Sequence, residues 1–195
     1  MNRSSRAALS VFVLFLAAGC VSVEQERRER LEKARFYLEE GDSFAALGNH
    51  EQAIESYANA IAEHPGGYAA AHFKRGNAHF RLGHDDDAIQ DYTEAMQLSP
   101  GFDQALFNRG ETFRRKERWA EALGDFQEYR QANPSDARVL VRIADILHDN
   151  VPSHRRTALD YYRRYLELAG PDEAVSRIVS ELEREFGPAA RASDQ

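Results

Sequence analysis

The residues that could do chemistry in this 195-residue chain are seven histidines, one cysteine, 32 carboxylates and 25 lysines and arginines. Their spacing excludes most of what those types allow. No two histidines lie four apart and no HExxH occurs, so the paired imidazoles of a helical zinc site are missing. His72 and His79 lie seven apart, with no cysteine or carboxylate on that face to complete a ligand set. Asp85, Asp86 and Asp87 are consecutive and lack the alternation and terminal glutamate of a calcium loop. Their expected work is to cap and charge the start of a helix. Ser43, Ser56 and Ser153 stand in no nucleophile elbow, and no glycine-rich phosphate loop occurs. No catalytic residue, metal site, cofactor or small-molecule substrate is expected. A formal charge of −7 removes the sequence-independent attraction to nucleic acid. What remains is the lone Cys20, which permits no internal disulfide framework, and the basic, aromatic run FKRGNAHFR, Phe73 to Arg81.

The elements that must position that run repeat. Gly41, Gly76 and Gly110 recur at spacings of 35 and 34, and Ala144 follows 34 later. Ala53, Ala88, Ala122 and Ala158 form a second line, with Tyr57, Tyr92, Phe126 and Tyr162 four residues behind, and Pro65, Pro100, Pro134 and Pro171 close the units. Within a unit, two stretches of helical periodicity flank a turn signal. In the second unit the spacing predicts one helix over Ala69 to Leu82, a stop at Gly83, and a second helix from Asp85 to about Leu98.

These lines, in "GNHEQAIESYANAIAEHP", "GHDDDAIQDYTEAMQLSP" and "RWAEALGDFQEYRQANP", resemble the tetratricopeptide repeat. The resemblance covers residues 34–171 and implies an all-α chain. It would be a right-handed α-solenoid of four helix-turn-helix repeats, 34–68, 69–102, 103–136 and 137–171, closed by a C-terminal capping helix over 172–187. The fourth repeat departs, with Ala144 for glycine and Pro152 forcing a distorted loop. The capping helix carries Val175, Ile178, Val179, Leu182 and Phe186 on one face. Residues 188–195 read as a flexible tail. The first helix is expected to begin near Glu24, with residues 20–33 forming a charged, solvated spacer, and Trp119 is expected in the core.

In that family the first helix of each unit lines a concave groove that holds peptides or partner helices. At 100° per residue, Phe73, Lys74, Asn77, Phe80 and Arg81 share an arc of about 120°, whereas Arg75 lies outside it. The corresponding residues are Phe107, Asn108, Glu111, Arg114 and Arg115 in the third unit, Arg138, Val141, Arg142 and Asp145 in the fourth, and Arg35, Leu38, Glu39, Asp42 and Ala46 in the first. The middle of such a groove would be basic and aromatic, suited to a protein or peptide partner of acidic character. Asn77, Asn108, Arg138 and Arg142 also resemble part of the clamp by which cochaperone repeats hold a C-terminal carboxylate, with Phe73 in place of its first lysine.

The amino terminus adds an address. Arg3 and Arg6 precede the uncharged run Ala7 to Ala18, which is too short to span a bilayer. "LAAGC" then resembles the lipobox of bacterial lipoproteins. The resemblance implies a signal peptide over 1–19, cleavage before Cys20, and fatty acylation there, palmitate included. Val21 in place of an aspartate points to the outer membrane, facing the periplasm. The expected function is a non-enzymatic, lipid-tethered interaction scaffold or adaptor in envelope complex assembly, pilotin-like or docking proteases and cell-wall enzymes. The alternative is a structural lipoprotein that self-associates without a groove ligand.

Overall fold

A computed structural model describes the backbone of residues 3–64 and 66–187, and side chains over 22–64 and 66–187. The described residues are helical without strands. They divide into two compact units, Met1–Ser99 and Pro100–Gln195. The first unit holds α1 (Arg3–Ala46), α2 (His50–Glu63), α3 (Ala69–Leu82) and α4 (Asp85–Leu98). The second holds α5 (Asp103–Arg115), α6 (Trp119–Ala132), α7 (Ala137–Asp149), α8 (Arg155–Ala169) and α9 (Glu173–Phe186). Consecutive helices pack as pairs, the building block of an all-α solenoid.

The repeated small residues and aromatics form one device. A Cβ added at Gly76 would lie 2.9 Å from Cε1 of Tyr92, and one at Gly41 only 2.5 Å from Cε1 of Tyr57. Each glycine therefore lets the ring of the paired helix lie against bare backbone. Those rings are almost wholly buried, as are the alanines Ala53, Ala88, Ala122 and Ala158. A polar pin runs beside the ring. The Arg75 guanidinium donates to both carboxylate oxygens of Asp91 at 2.9 and 2.7 Å. Arg109 does the same to Asp125 at 2.9 and 2.8 Å. In the first repeat the pin is uncharged at one end, with the Ser56 hydroxyl donating to Glu40 at 2.8 Å. Arg75 thus serves the helix pair, as its place outside the arc implies.

Three expectations are corrected. Helix α1 begins at Arg3 rather than near Glu24, because no proline interrupts the chain before Pro65. Asp85 to Asp87 charge the first turn of α4 but do not cap it; His84 holds the cap position. Trp119 opens α6 half-buried instead of entering the core. Two other features agree with the sequence. Pro152 starts a short 3-10 turn, Pro152–His154, between α7 and α8. Helix α9 buries Val175, Val179 and Leu182, and Asp172 caps it by accepting from the Val175 amide at 3.0 Å. The spacer is solvated over most of its length, and α1 first docks through Arg30, which donates to the Ala62 carbonyl at 3.0 Å. Among the described residues no helix is long and apolar enough to cross a membrane. The signal segment and Cys20 lie outside the described side chains.

Candidate binding surface on the inner helices

In the first unit, Asp42 of α1 and Lys74, Asn77 and Arg81 of α3 surround a cavity of about 270 Å³, together with Tyr57 and His50 of α2. The Lys74 ammonium donates to both oxygens of Asp42 at 2.7 and 2.8 Å. The Tyr57 hydroxyl donates to the same carboxylate at 2.9 Å. Burial first, and then the Asp42 carboxylate, push that phenol well above its ordinary range, so it stays a donor. Asn77 accepts from the Tyr92 hydroxyl at 2.8 Å, and the ring of Phe73 lies 6.0 Å from that of Tyr92. Phe73 and Phe80 are half-buried. Arg81 is exposed and has no ion pair among the described residues. The His50 Nδ1 is buried without a hydrogen-bond partner.

The second unit repeats the scheme with different side chains. Arg142 of α7 donates to Glu111 of α5 at 2.7 Å, and Arg114 donates to the other oxygen of that carboxylate at 3.0 Å. Tyr162 donates to Asp145 at 2.8 Å, the counterpart of the Tyr57 bond, and burial raises the pKa of Asp145. Phe107 packs 5.5 Å from Phe126 and 5.0 Å from Tyr129, ring centre to ring centre. Arg138 turns back onto its own helix start. It reaches Asp136 at 2.6 Å and covers the Phe107 ring at 5.4 Å. Arg138 together with Tyr129 holds the Asp136 carboxyl down to about 2. Arg115 is exposed, and Asn108 lies on the same helix.

A rule unites the two units. The residue two before the glycine line (Lys74, Arg142) meets the residue one after it in the preceding repeat (Asp42, Glu111). The inner faces are thus rows of ion pairs in which aromatic rings are set, with Arg81 and Arg115 at one common exposed position. The spacing of residues placed Asp42 and Glu111 on the same faces as the cations but did not show that Lys74 and Arg142 reach them across 32 and 31 residues. One repeat less three residues was the periodic signal that could have found them.

Sequence reasoning also missed a cluster outside these faces. Donor atoms of His79, His84 and Asp87 lie within 4.8 Å of one another. His72, which spacing alone puts beside His79, instead holds Asp91 at 3.1 Å.

Known proteins resemble the chain in sequence and in fold. The co-chaperone DNJ1 of Cryptococcus neoformans, which carries tetratricopeptide repeats and a J domain, is 26% identical over 135 residues, covering 69% of this chain and 25% of the co-chaperone. The rat DnaJ homolog subfamily C member 3 is 29% identical over 100 residues, 51% of this chain and 20% of that protein. The chain therefore spans a quarter or less of these relatives' lengths. Among solved structures, MamA of Desulfovibrio magneticus RS-1 superposes with a TM-score of 0.70 at 15% identity, covering 79% of this chain and 85% of that one. Pseudomonas aeruginosa pilF gives 0.64 at 21%, covering 81% and 71%. These likenesses show the fold. The tetratricopeptide repeat profile matches residues 38–103, 73–137 and 107–173. With its glycine, alanine and aromatic lines packed as described, the chain belongs to the tetratricopeptide repeat family of protein-interaction scaffolds.

Proposed function

We propose that the inner-helix faces hold an extended or helical segment of a partner protein with acidic character, and that the chain does so as a lipoprotein anchored through Cys20. On this reading it is an adaptor in cell-envelope complex assembly, pilotin-like or docking a protease or cell-wall enzyme, at the periplasmic face of the outer membrane. The observation that carries the binding reading is the inner surface of α3. A cavity of about 270 Å³ lies there beside the exposed Arg81 and the ion pair of Lys74 with Asp42. An apolar partner side chain gains aromatic and aliphatic contact in such a recess, and a partner carboxylate gains a cation at its rim. An internal segment suits the surface better than a terminal carboxylate, because Arg138, a member of the resembled clamp, is already spent on Asp136 and Phe107.

The test is site-specific photo-crosslinking in the native cells, followed by mass spectrometry. A crosslinker at Arg81 is expected to trap a discrete partner that one at the exposed Gly124 of α6 does not. With the crosslinker moved to Ala45, which lines the same cavity, the double variant R81E/R115E should abolish the trapped species while leaving helicity and melting unchanged. Trapping at Gly124 alone, or capture unaltered by R81E/R115E, refutes the inner-face reading. Lys74 is left out of the variant because a glutamate there would face Asp42 and disturb the fold as well as the surface.

A further inference from the structure

We infer that the turn joining α3 to α4 is a binding site for one divalent transition-metal ion of the zinc class, held by Nδ1 of His79, Nδ1 of His84 and the carboxylate of Asp87. The two Nδ1 atoms face each other at 3.5 Å. Neighbouring ligands on a tetrahedral zinc, with bonds of about 2.0–2.1 Å, stand roughly 3.3 Å apart. The imidazoles are therefore already spaced as two corners of such a site. As a hydrogen bond the same contact is at the long limit. Asp87 is exposed, and an oxygen of its carboxylate lies within 4.8 Å of the ligand nitrogens of both histidines, the side from which it would supply the third corner. The fourth corner faces solvent and is left to water. Two imidazoles with one carboxylate favour zinc, nickel, cobalt or copper over calcium and magnesium.

The backbone around the cluster is fixed. Gly83 takes a left-handed conformation at φ 78°, and the His84 amide donates to the His79 carbonyl at 2.9 Å. His84 sits at the cap position of α4, yet its side chain makes no capping bond; its ring lies 5.7 Å from that of His79. On the other edge of His79, Nε2 lies 3.9 Å from Asp91, which His72 and Arg75 hold in place. A metal-bound histidine commonly donates its second nitrogen to a carboxylate, and Asp91 stands on that side of the ring, at 3.9 Å just beyond hydrogen-bond reach.

The third repeat shows that the set is not a demand of the fold. Its corresponding residues are Phe113, Arg118 and Glu121. There Arg118 covers the Phe113 ring at 4.5 Å and pairs with Glu121 at 2.8 Å, so the same three positions pin the turn by an ordinary cation. In the second repeat a cation is again what joins the three side chains, and here it comes from solution.

The test uses the untagged full chain, stripped with a chelator, then titrated with zinc chloride by calorimetry and with cobalt(II) by absorption spectroscopy. One zinc per chain is expected, together with visible cobalt bands of low-coordinate type. His84→Ala should weaken zinc binding by more than about 100-fold and erase the bands, since loss of even an outer-shell partner costs about 10–100-fold. The near-isosteric Asp87→Asn should weaken it at least tenfold, and gives a reading even if His84→Ala folds poorly. His154→Ala, which lies in the other unit and is not a member of the cluster, should bind as the parent does. No uptake by the parent at micromolar zinc, or equal uptake by parent, His84→Ala and Asp87→Asn, overturns the inference.

Discussion

Two glycines of the second unit receive the same methyl group, and only one of them should be stabilised by it. Gly110 lies inside α5, and a Cβ there would stand 2.9 Å from Cε1 of Phe126 and 3.2 Å from Cβ of Asp125. Neither neighbour can yield easily. Phe126 is fully buried with Phe107 packed 5.5 Å away, and Asp125 is gripped by two nitrogens of Arg109, Nε and Nη2. Gly124, inside α6, has nothing within 4 Å of the added atom. Both substitutions remove backbone freedom from the unfolded chain, worth about 0.8–1.0 kcal/mol in a helix interior. Only Gly110→Ala also pays for overpacking, about 1–3 kcal/mol. Gly124→Ala should therefore stabilise by somewhat under about 1 kcal/mol. Gly110→Ala should range from neutral to about 2 kcal/mol destabilising, leaving the two variants about 1–3 kcal/mol apart. Trp119, the only tryptophan, stands at the start of α6, so its fluorescence in a urea titration reports on this unit alone. Equal stabilisation by both variants would show that the ring is not seated on the glycine, and the packing account of the 34-residue period would fail.

Other perturbations probe the charges and the anchor. The folded pKa of Asp136, about 2, lies below its ordinary 3.8. Its contribution is therefore complete above about pH 4 and is lost as pH falls through 2. Asp145, raised by burial, acts oppositely at somewhat higher pH. The stability gap between the parent and Asp136→Asn, followed by Trp119 fluorescence, isolates the first effect. That gap should close from pH 4 to pH 2, and a gap that persists at pH 2 contradicts the assignment. For the anchor, Cys20→Ser should remove the acyl mass and release the chain from the membrane fraction. Unchanged mass and fractionation would exclude lipidation at that residue.

The helix pairs were legible because their cause is local and repeats. A glycine needs an aromatic at a fixed offset, Gly76 with Tyr92 and Gly110 with Phe126, and chance does not produce that offset three times. The start of α1 was less legible, because the polar run after Val23 resembles a boundary although nothing in it breaks a helix. Side-chain pairing was harder still. Lys74 and Asp42 belong to different repeats and come together only once the repeats are stacked. His79 and His84 were hidden by a different cause. Spacings of four and seven describe one helix, whereas these two rings meet around a glycine turn, where a spacing of five is productive.

If the inner faces bind a partner as proposed, their paired state sets what recognition there would consist of. A row of free lysines and arginines would attract any acidic chain at long range and lose it in salt. Lys74 and Arg142 already have carboxylates at 2.7 Å. A partner carboxylate arriving at either one exchanges one ion pair for another, with little net gain for half-exposed groups. Affinity must then come from apolar surface removed from water beside Phe73 and Phe107, at roughly 25 cal/mol per Å². Charge acts chiefly at Arg81, which has no competing partner among the described residues. Specificity follows from the same arrangement. A partner lacking an acid where Asp42 or Glu111 must be displaced leaves the existing pair undisturbed and is not repelled. One that places a lysine there meets Lys74 or Arg142 and is. On the proposed reading, the faces would discriminate more by rejecting misplaced cations than by gathering anions.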